Sequence, residues 1–255
     1  MSEAGSGVTE DAFLGGRLRL RQPVSGHRAG HDAILLAAAT AARPGQRIAE
    51  FGAGVGAAGL AVARRVTGLE LVLVEINAEL AALASANAAA NGIGARVLTL
   101  DLAANAAAFA AAGLDPDSVD GVLMNPPFND PVRQQASPDT DRRVAHEATT
   151  TTLEGWTHAA RRVLKPSGTL TLIWRAEGLA DVLACLARGF GSVAVQPVHG
   201  KTGAPAIRIL VRAIKGGRAP LRIYPGLMLN EAAGVPTEQA SELLSGEAIS
   251  PLGAL

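Results

Sequence analysis

From residue 47 onward, short apolar runs alternate with Ala- and Leu-rich runs: RIAEF, AAGLAVARRV, LELVLVEI, AELAALASANAAAN, ARVLTL, LAANAAAFAAA and VDGVLM. The first, third, fifth and seventh are nearly continuous in apolar residues rather than alternating, as strands are when helices cover both faces of a parallel sheet. The runs between them carry helical periodicity, so the order predicts a doubly wound α/β domain. After a polar stretch at 129–152 the pattern resumes with a helix at 153–164, a KPSG turn, a strand TLTLIW, a helix through Arg188, and strands SVAVQPV and AIRILVRA. Only HGKTGAP joins the last two, too short for a crossover helix, so they should run antiparallel. The expectation is a mostly parallel seven-stranded sheet with an antiparallel last strand. Three units follow: residues 1–46, with a hairpin candidate RLRLRQPV and a helix from GHDAILLAAA; a main domain over 47–215; and a Gly- and Pro-rich extension over 216–255.

Composition changes this picture little. The chain has 255 residues, 48% of them hydrophobic and 18% charged, which suits a globular protein with a sizeable core. Its apolar stretches at 33–42, 57–63 and 102–112 fall short of the roughly 20 residues that span a bilayer. MSEAGSGVTEDAF is acidic and polar, unlike a signal peptide, so a cytoplasmic address without membrane contact is expected. Cys185 stands alone in LADVLACLARGF and reads as a buried thiol, and the spacing of His27, His158 and His199 makes no metal site. Lys and Arg total 23 against 23 Asp and Glu, so any attraction for nucleic acid has to be local.

Two stretches carry chemistry. In AEFGAGVGAAGL, Gly52, Gly54 and Gly56 follow a strand and open a helix, letting the backbone turn tightly and approach a ligand. The spacing also fits a dinucleotide loop, and a nicotinamide-dependent oxidoreductase shares it. Glu50, two residues before the first glycine, would disfavour a pyrophosphate and suit a ligand carrying an ammonium and a sulfonium, such as S-adenosylmethionine. Glu75 ends the next strand, where a carboxylate can accept from two ribose hydroxyls. Asp101 ends VLTLD and is placed to accept from an adenine amino group. Phe51, Ala53, Ile76 and Leu102 flank these positions and complete the predicted crevice.

The second stretch is VDGVLMNPPFND. Pro127 restricts Pro126, each ring fixes its own φ, and the backbone is held stiff where the strand ends. The Asn125 side-chain oxygen and the Pro126 carbonyl then form fixed acceptors for both hydrogens of a planar amino group, and Phe128 can stack on the base that bears it. Asn-Pro-Pro is also an ordinary turn sequence. Its occurrence beyond a Gly-rich loop and Glu75 favours the catalytic reading of Asn125, Pro126, Pro127 and Phe128.

With both stretches the chain resembles class I S-adenosylmethionine-dependent methyltransferases of the Asn-Pro-Pro-aromatic type. Within them it is similar to the bacterial tRNA1(Val) adenine-N6-methyltransferase family, through QPVSGHRAGHDAILLAAA, MNPPFND and HEATTTTLEGWTHAARRVLKPSGTLTLI, over roughly residues 12–230. Gly30-His31-Asp32 departs from the Gly-Thr-Asp or Gly-Ala-Asp of that family. The resemblance implies a Rossmann-like fold, S-adenosylmethionine as cofactor, a cofactor set that adds Arg28, Asp32 and Asn125 to the residues above, and an adenine beside a tRNA anticodon as substrate. Arg133, Arg142, Arg143 and His146 in the polar segment, and Lys201, Arg208 and Arg212 around the last hairpin, are the candidates for RNA contact. A charge-guarded strand edge is the competing reading of those arginines. Other amino-group methyltransferases, acting on rRNA guanine N2, DNA adenine N6 or protein glutamine, share the motif.

Overall fold

The computed structural model describes residues 7–25, 28–127 and 140–254, with residues 140–150 described by their backbone alone. Phe128 and Arg133 lie outside the described residues. So do the side chains of Arg142, Arg143 and His146, whose backbone belongs to a helix that begins at Thr140.

Strands β1 (Val8–Phe13) and β2 (Leu18–Pro23) form a separate antiparallel ribbon, and α1 (His31–Ala39) follows it. The predicted alternation then appears in full: β3 (Arg47–Phe51), α2 (Ala57–Arg65), β4 (Glu70–Glu75), α3 (Ala78–Ala90), β5 (Ala95–Thr99), α4 (Ala106–Ala111) and β6 (Val119–Met124). Next come α5 (Thr140–Val163), β7 (Leu164–Arg175), α6 (Leu179–Leu186), β8 (Phe190–His199), β9 (Ala206–Lys215), β10 (Arg222–Ile223), β11 (Leu227–Met228) and α7 (Glu238–Ser245). The main sheet runs β10-β8-β9-β7-β6-β3-β4-β5, with β11 also on β8. β3 to β7 pair in parallel, and β9 runs antiparallel to both β7 and β8 as the short connection requires.

The count of seven strands needs correction: the sheet has nine, because the chain beyond Lys215 adds β10 and β11 in parallel along β8. Those strands have two residues each, too few to show a pattern. The extension then folds back on α1, where the Ser250 amide donates to the Ala38 carbonyl at 3.1 Å and Leu252 is fully buried. KPSG is not a turn before a strand. It is an irregularity inside β7, with Ser167 at φ 65° and a register shift against β6.

The sheet divides the core into two clusters. Leu123, Ile173 and Leu210 pack with α1 and α2 on one face, and Phe51, Met124, Trp174 and Ile209 pack with α5 and α6 on the other. Cys185 is buried in the second cluster, and burial pushes its thiol up to about 11. Among the described residues no helix is long and apolar enough to cross a membrane.

The hairpin is fastened to the domain by two amides. The Arg21 amide donates to Asn87 Oδ1 at 2.8 Å, while Asn87 Nδ2 donates to the carbonyls of Arg21 and Val55 at 3.1 and 3.0 Å. One helical turn later, Asn91 Oδ1 accepts from the Arg19 amide at 3.0 Å and its Nδ2 donates to the Arg19 carbonyl at 2.7 Å. One turn of α3 matches a two-residue strand repeat closely enough for both amides to fit.

Candidate active site

β3 is flanked by β4 on one side and by β6 on the other, so the order of connection reverses between β3 and β6. Ligands of open α/β sheets bind at such a point, outside the carboxyl ends of the strands. The Gly-rich loop leaves β3 there and Asn125-Pro126-Pro127 leaves β6 there, which brings the two chemical stretches of the sequence to neighbouring strand ends.

The loop is held from two sides. Glu75 Oε2 accepts from the Gly54 amide at 2.7 Å, and its Oε1 accepts from the Asn77 amide at 2.9 Å. Both oxygens keep lone pairs for further donors. Gly54 sits at φ 55°, and among the described residues nothing lies within 4 Å of a Cβ placed there. Ile76 is 63% exposed just beyond Glu75, an apolar surface at the mouth. Across the β4–β5 pair, Leu102 is buried, and Asp101 is exposed with Oδ1 accepting from the Ala103 amide at 2.8 Å.

Glu50 is placed differently from the expectation of a ligand contact. Its carboxylate turns beneath the loop, where Oε2 accepts from the Gly59 amide at 2.7 Å. Gly56, the residue before α2, has no side chain to cap the helix, so Glu50 caps its first turn from the neighbouring strand. Gly59 makes room, since a Cβ there would stand 2.7 Å from that oxygen. Burial pushes the Glu50 carboxyl up from 4.5 to about 8, with the amides of Gly59 and Ala58 opposing and Glu75 adding to the rise. Below pH 4.5 the group is protonated whether the chain is folded or not. Between 4.5 and about 8 the unfolded chain ionises first, so stability falls by up to about 1.4 kcal/mol per pH unit and then levels off. Glu50→Gln should flatten that decline, which urea unfolding midpoints at pH 5, 6, 7 and 8 would read. Equal slopes for both proteins would contradict the raised carboxyl.

Asn125 continues β6 by one residue, and its Oδ1 is buried with no hydrogen-bond partner among the described residues. Pro126 is buried and Pro127 is exposed. An orphaned acceptor costs about 1–3 kcal/mol, and such groups persist where function requires them. The room over Gly54 and the acceptor at Asn125, both unfilled among the described residues, together with the carboxylate at Glu75 and the apolar Ile76, fit an adenosyl cofactor and an amino-group substrate.

Other expected residues are occupied elsewhere. The Phe51 ring is fully buried, edge-on to Phe109 at 6.5 Å, so only its backbone belongs to the loop. Arg28 is engaged with Asp11 at 2.5 Å, the Pro23 carbonyl at 2.6 Å and the Thr9 hydroxyl at 2.9 Å, which ties the entry of α1 to the hairpin. The last strands do not form an open basic face. β9 lies between β7 and β8 and is not an edge. Arg208 Nε donates to Asp32 Oδ2 at 3.0 Å, and Arg212 Nη1 donates to the carbonyls of Leu252 and Ala254 at 2.7 and 3.2 Å. Lys201 remains exposed.

Sequence reasoning missed Trp156. Its indole from α5 stands where a side chain at position 52 would be, with Cζ3 only 2.8 Å from an ideal Cβ on Gly52. The helix that follows Asn125-Pro126-Pro127 therefore rests on the Gly-rich loop, a contact that no motif spacing announces.

Comparison with known proteins gives the family and the fold. The family model for the methyltransferase small domain matches residues 28–201. The chain is 31% identical over 129 residues to the ribosomal RNA small subunit methyltransferase C of Hahella chejuensis, covering 51% of this chain but only 31% of that protein. A predicted O-methyltransferase from Agrobacterium tumefaciens is 32% identical, with a TM-score of 0.71 over 86% of this chain and 98% of the other. A T. thermophilus 16S rRNA N2 methyltransferase, solved with AdoMet and guanosine, shares the fold at 20% identity and a TM-score of 0.54, over 82% of this chain and 50% of the other.

Proposed function

Because the chain belongs to the methyltransferase small domain family and is an S-adenosylmethionine-dependent methyltransferase, we propose that it methylates an exocyclic amino group of an RNA base, the N6 of an adenine in tRNA near the anticodon. The observation that carries this reading is the buried Oδ1 of Asn125, which has no hydrogen-bond partner among the described residues, beside the Gly-rich loop. An aromatic amine is a weak nucleophile because its lone pair is delocalised into the ring. Asn125 Oδ1 and the Pro126 carbonyl accept from the two amine hydrogens and so favour electron density on nitrogen as reaction proceeds. The prolines keep those acceptors from moving, which supplies orientation without a strong base. Glu75 would hold ribose hydroxyls, Ile76 would pack against the adenine ring, and the backbone at Gly52 and Gly54 would admit the methionine portion. When bound, S-adenosylmethionine supplies a methyl carbon made electrophilic by its sulfonium. An unpaired loop base is cheaper to extract than one in a duplex, which suits a tRNA loop.

A second reading, the N2 of a guanine in ribosomal RNA, is favoured by the 31% identity to the ribosomal RNA enzyme. Purified protein, labelled S-adenosylmethionine and either bulk tRNA or small ribosomal subunits from a strain lacking the gene separate the two. Labelled N6-methyladenosine from tRNA is the expected product. Labelled N2-methylguanosine from the subunits would establish the second reading, and no labelled nucleoside from either would remove the RNA claim.

A further inference from the structure

The last turns of α1 and α2, the end of α7 and the turn of the hairpin enclose a partly open cavity of about 400 Å³, counting its mouth. Leu14, Ile34, Ala61 and Leu243 give it an apolar lining, and Arg17, Arg64 and Arg65 line it as well. No carboxylate belongs to that lining. α2 starts beside the Gly-rich loop and rises about 1.5 Å per residue, so Arg65 at its far end stands about 12 Å from the loop. The cavity is therefore separate from the candidate active site. One wall of it, with Leu243, Gly246 and Ala248, comes from the C-terminal extension.

Each guanidinium is held at the carboxyl end of a different helix. Arg65 donates to the carbonyls of Ala37 at 3.0 Å, Ala38 at 3.5 Å and Thr40, where α1 ends. Arg64 Nη2 donates to the carbonyl of Asn91, the residue after α3, at 2.7 Å. Arg17 donates through Nη2 to the carbonyl of Ser245, the last residue of α7, and through Nε to the Leu14 carbonyl at 3.1 Å. Leu14 holds φ 52° there, a left-handed conformation that is costly for a residue other than glycine. None of the three arginines forms an ion pair with a carboxylate among the described residues, although Glu242 and Glu247 are exposed on and just beyond α7. A helix end carries a partial charge of about −0.5, so three ends offset three guanidiniums only in part and leave a surplus of about +1.5. Burial lowers the Arg65 guanidinium from its ordinary value, as expected of a cation that lacks an anion. Donors also remain, because a guanidinium has about five N–H groups and none of these gives more than three to carbonyls.

A ligand that suits this cavity carries nearly two negative charges on one compact group, with an apolar body beside it. A phosphate monoester has a charge of about −1.5 to −2 at neutral pH, and its oxygens match the paired donors of guanidiniums. A phosphodiester carries a single charge, and inorganic phosphate has nothing to set against Ile34 and Leu243. We propose that Arg17, Arg64 and Arg65 form the anion end of a second binding site, which takes a small organic phosphate monoester with its apolar part in the cavity. The site does not rest on the function proposed above. It gives the C-terminal extension a purpose, since Leu243 and Ala248 close the cavity on one side.

The test is calorimetric titration of the full chain with phenyl phosphate, with S-adenosylhomocysteine in excess so that the cofactor crevice is filled. Phenyl phosphate should bind about tenfold or more tightly than inorganic phosphate, phenol or the diester methyl phenyl phosphate. Arg64→Gln should weaken it by about tenfold, and Arg64→Lys should recover only part of that loss because an ammonium lacks the planar fork. Arg64 is exposed and holds a single carbonyl, so the fold should survive its replacement. Ala248→Leu leaves every guanidinium in place and fills the cavity; it should weaken phenyl phosphate by about tenfold and leave inorganic phosphate unchanged. Should Arg64→Gln not fold, Ala248→Leu decides. Absence of binding at millimolar phenyl phosphate overturns the site, and so does equal affinity in wild type and both variants. Binding that disappears when S-adenosylhomocysteine is added places the phosphate in the cofactor crevice and overturns it as well. Equal affinity for the diester, with displacement by oligo(U) lacking a terminal phosphate, overturns the small ligand in favour of a nucleic-acid strand.

Discussion

Asn125→Ala is expected to lower kcat for methyl transfer by about a thousandfold, comparable with removal of one preorganised hydrogen-bonding group from an acyl-transfer site. The affinity for S-adenosylhomocysteine, measured by calorimetry, should stay within about threefold, because on the proposed function Glu75 and the loop glycines hold that ligand from the other side of the switch point. Thermal unfolding should be unchanged or slightly improved. The wild-type Oδ1 is buried without a partner among the described residues, and removing it relieves the desolvation of that oxygen. Lost activity together with retained stability is the signature of a group kept for chemistry. Activity within tenfold of wild type would take Asn125 out of the reacting site and leave Asn-Pro-Pro as a turn.

Gly52→Ala should be nearly as damaging for a different reason. Gly52 is at φ 66°, where an alanine costs about 1–2 kcal/mol from its own backbone. Its new methyl would also overlap the indole of Trp156, so α5 or the loop has to move. The two effects should sum to about 2–4 kcal/mol in urea unfolding and weaken S-adenosylhomocysteine by more than tenfold. Gly92→Ala separates the contributions: Gly92 is at φ 64° with nothing within 4 Å of the added methyl, so only the backbone cost of about 1 kcal/mol remains. Combining Gly52→Ala with Trp156→Ala should recover part of the lost cofactor affinity. Equal effects at positions 52 and 92 would show that the Trp156 contact does not constrain the loop.

The alternation of strands with α2 to α4 was legible because β3, β4 and β6 are buried on both faces and carry their signal in nearly every residue. The antiparallel end was legible from the length of one connection. Other features lie outside what a local pattern carries. β10 and β11 have two residues each and owe their strand geometry to β8. The start of α5 in TDRRVAHEATTTT offers no apolar stripe, and its four successive threonines argue against a helix. At the candidate site, Gly52, Gly54, Glu75 and Asn125 stand out in the sequence because each lies in a short motif at a strand end. That Glu50 also caps α2 was not legible, because Gly59 stands nine positions further along the chain. Trp156 lies 104 positions beyond the glycine it covers. Arg208 looked like part of a free basic strand until its neighbours in the sheet were known.

The two asparagines that fasten the hairpin have an effect beyond fastening it. One side of β2 is taken by β1, and along the other the amides and carbonyls of Arg19 and Arg21 are saturated by Asn87 and Asn91. A short ribbon outside the main sheet would ordinarily leave such groups as a template for a foreign strand. Here a helix supplies counterfeit strand pairing through its side chains, and that flank of β2 is closed to recruitment of another chain.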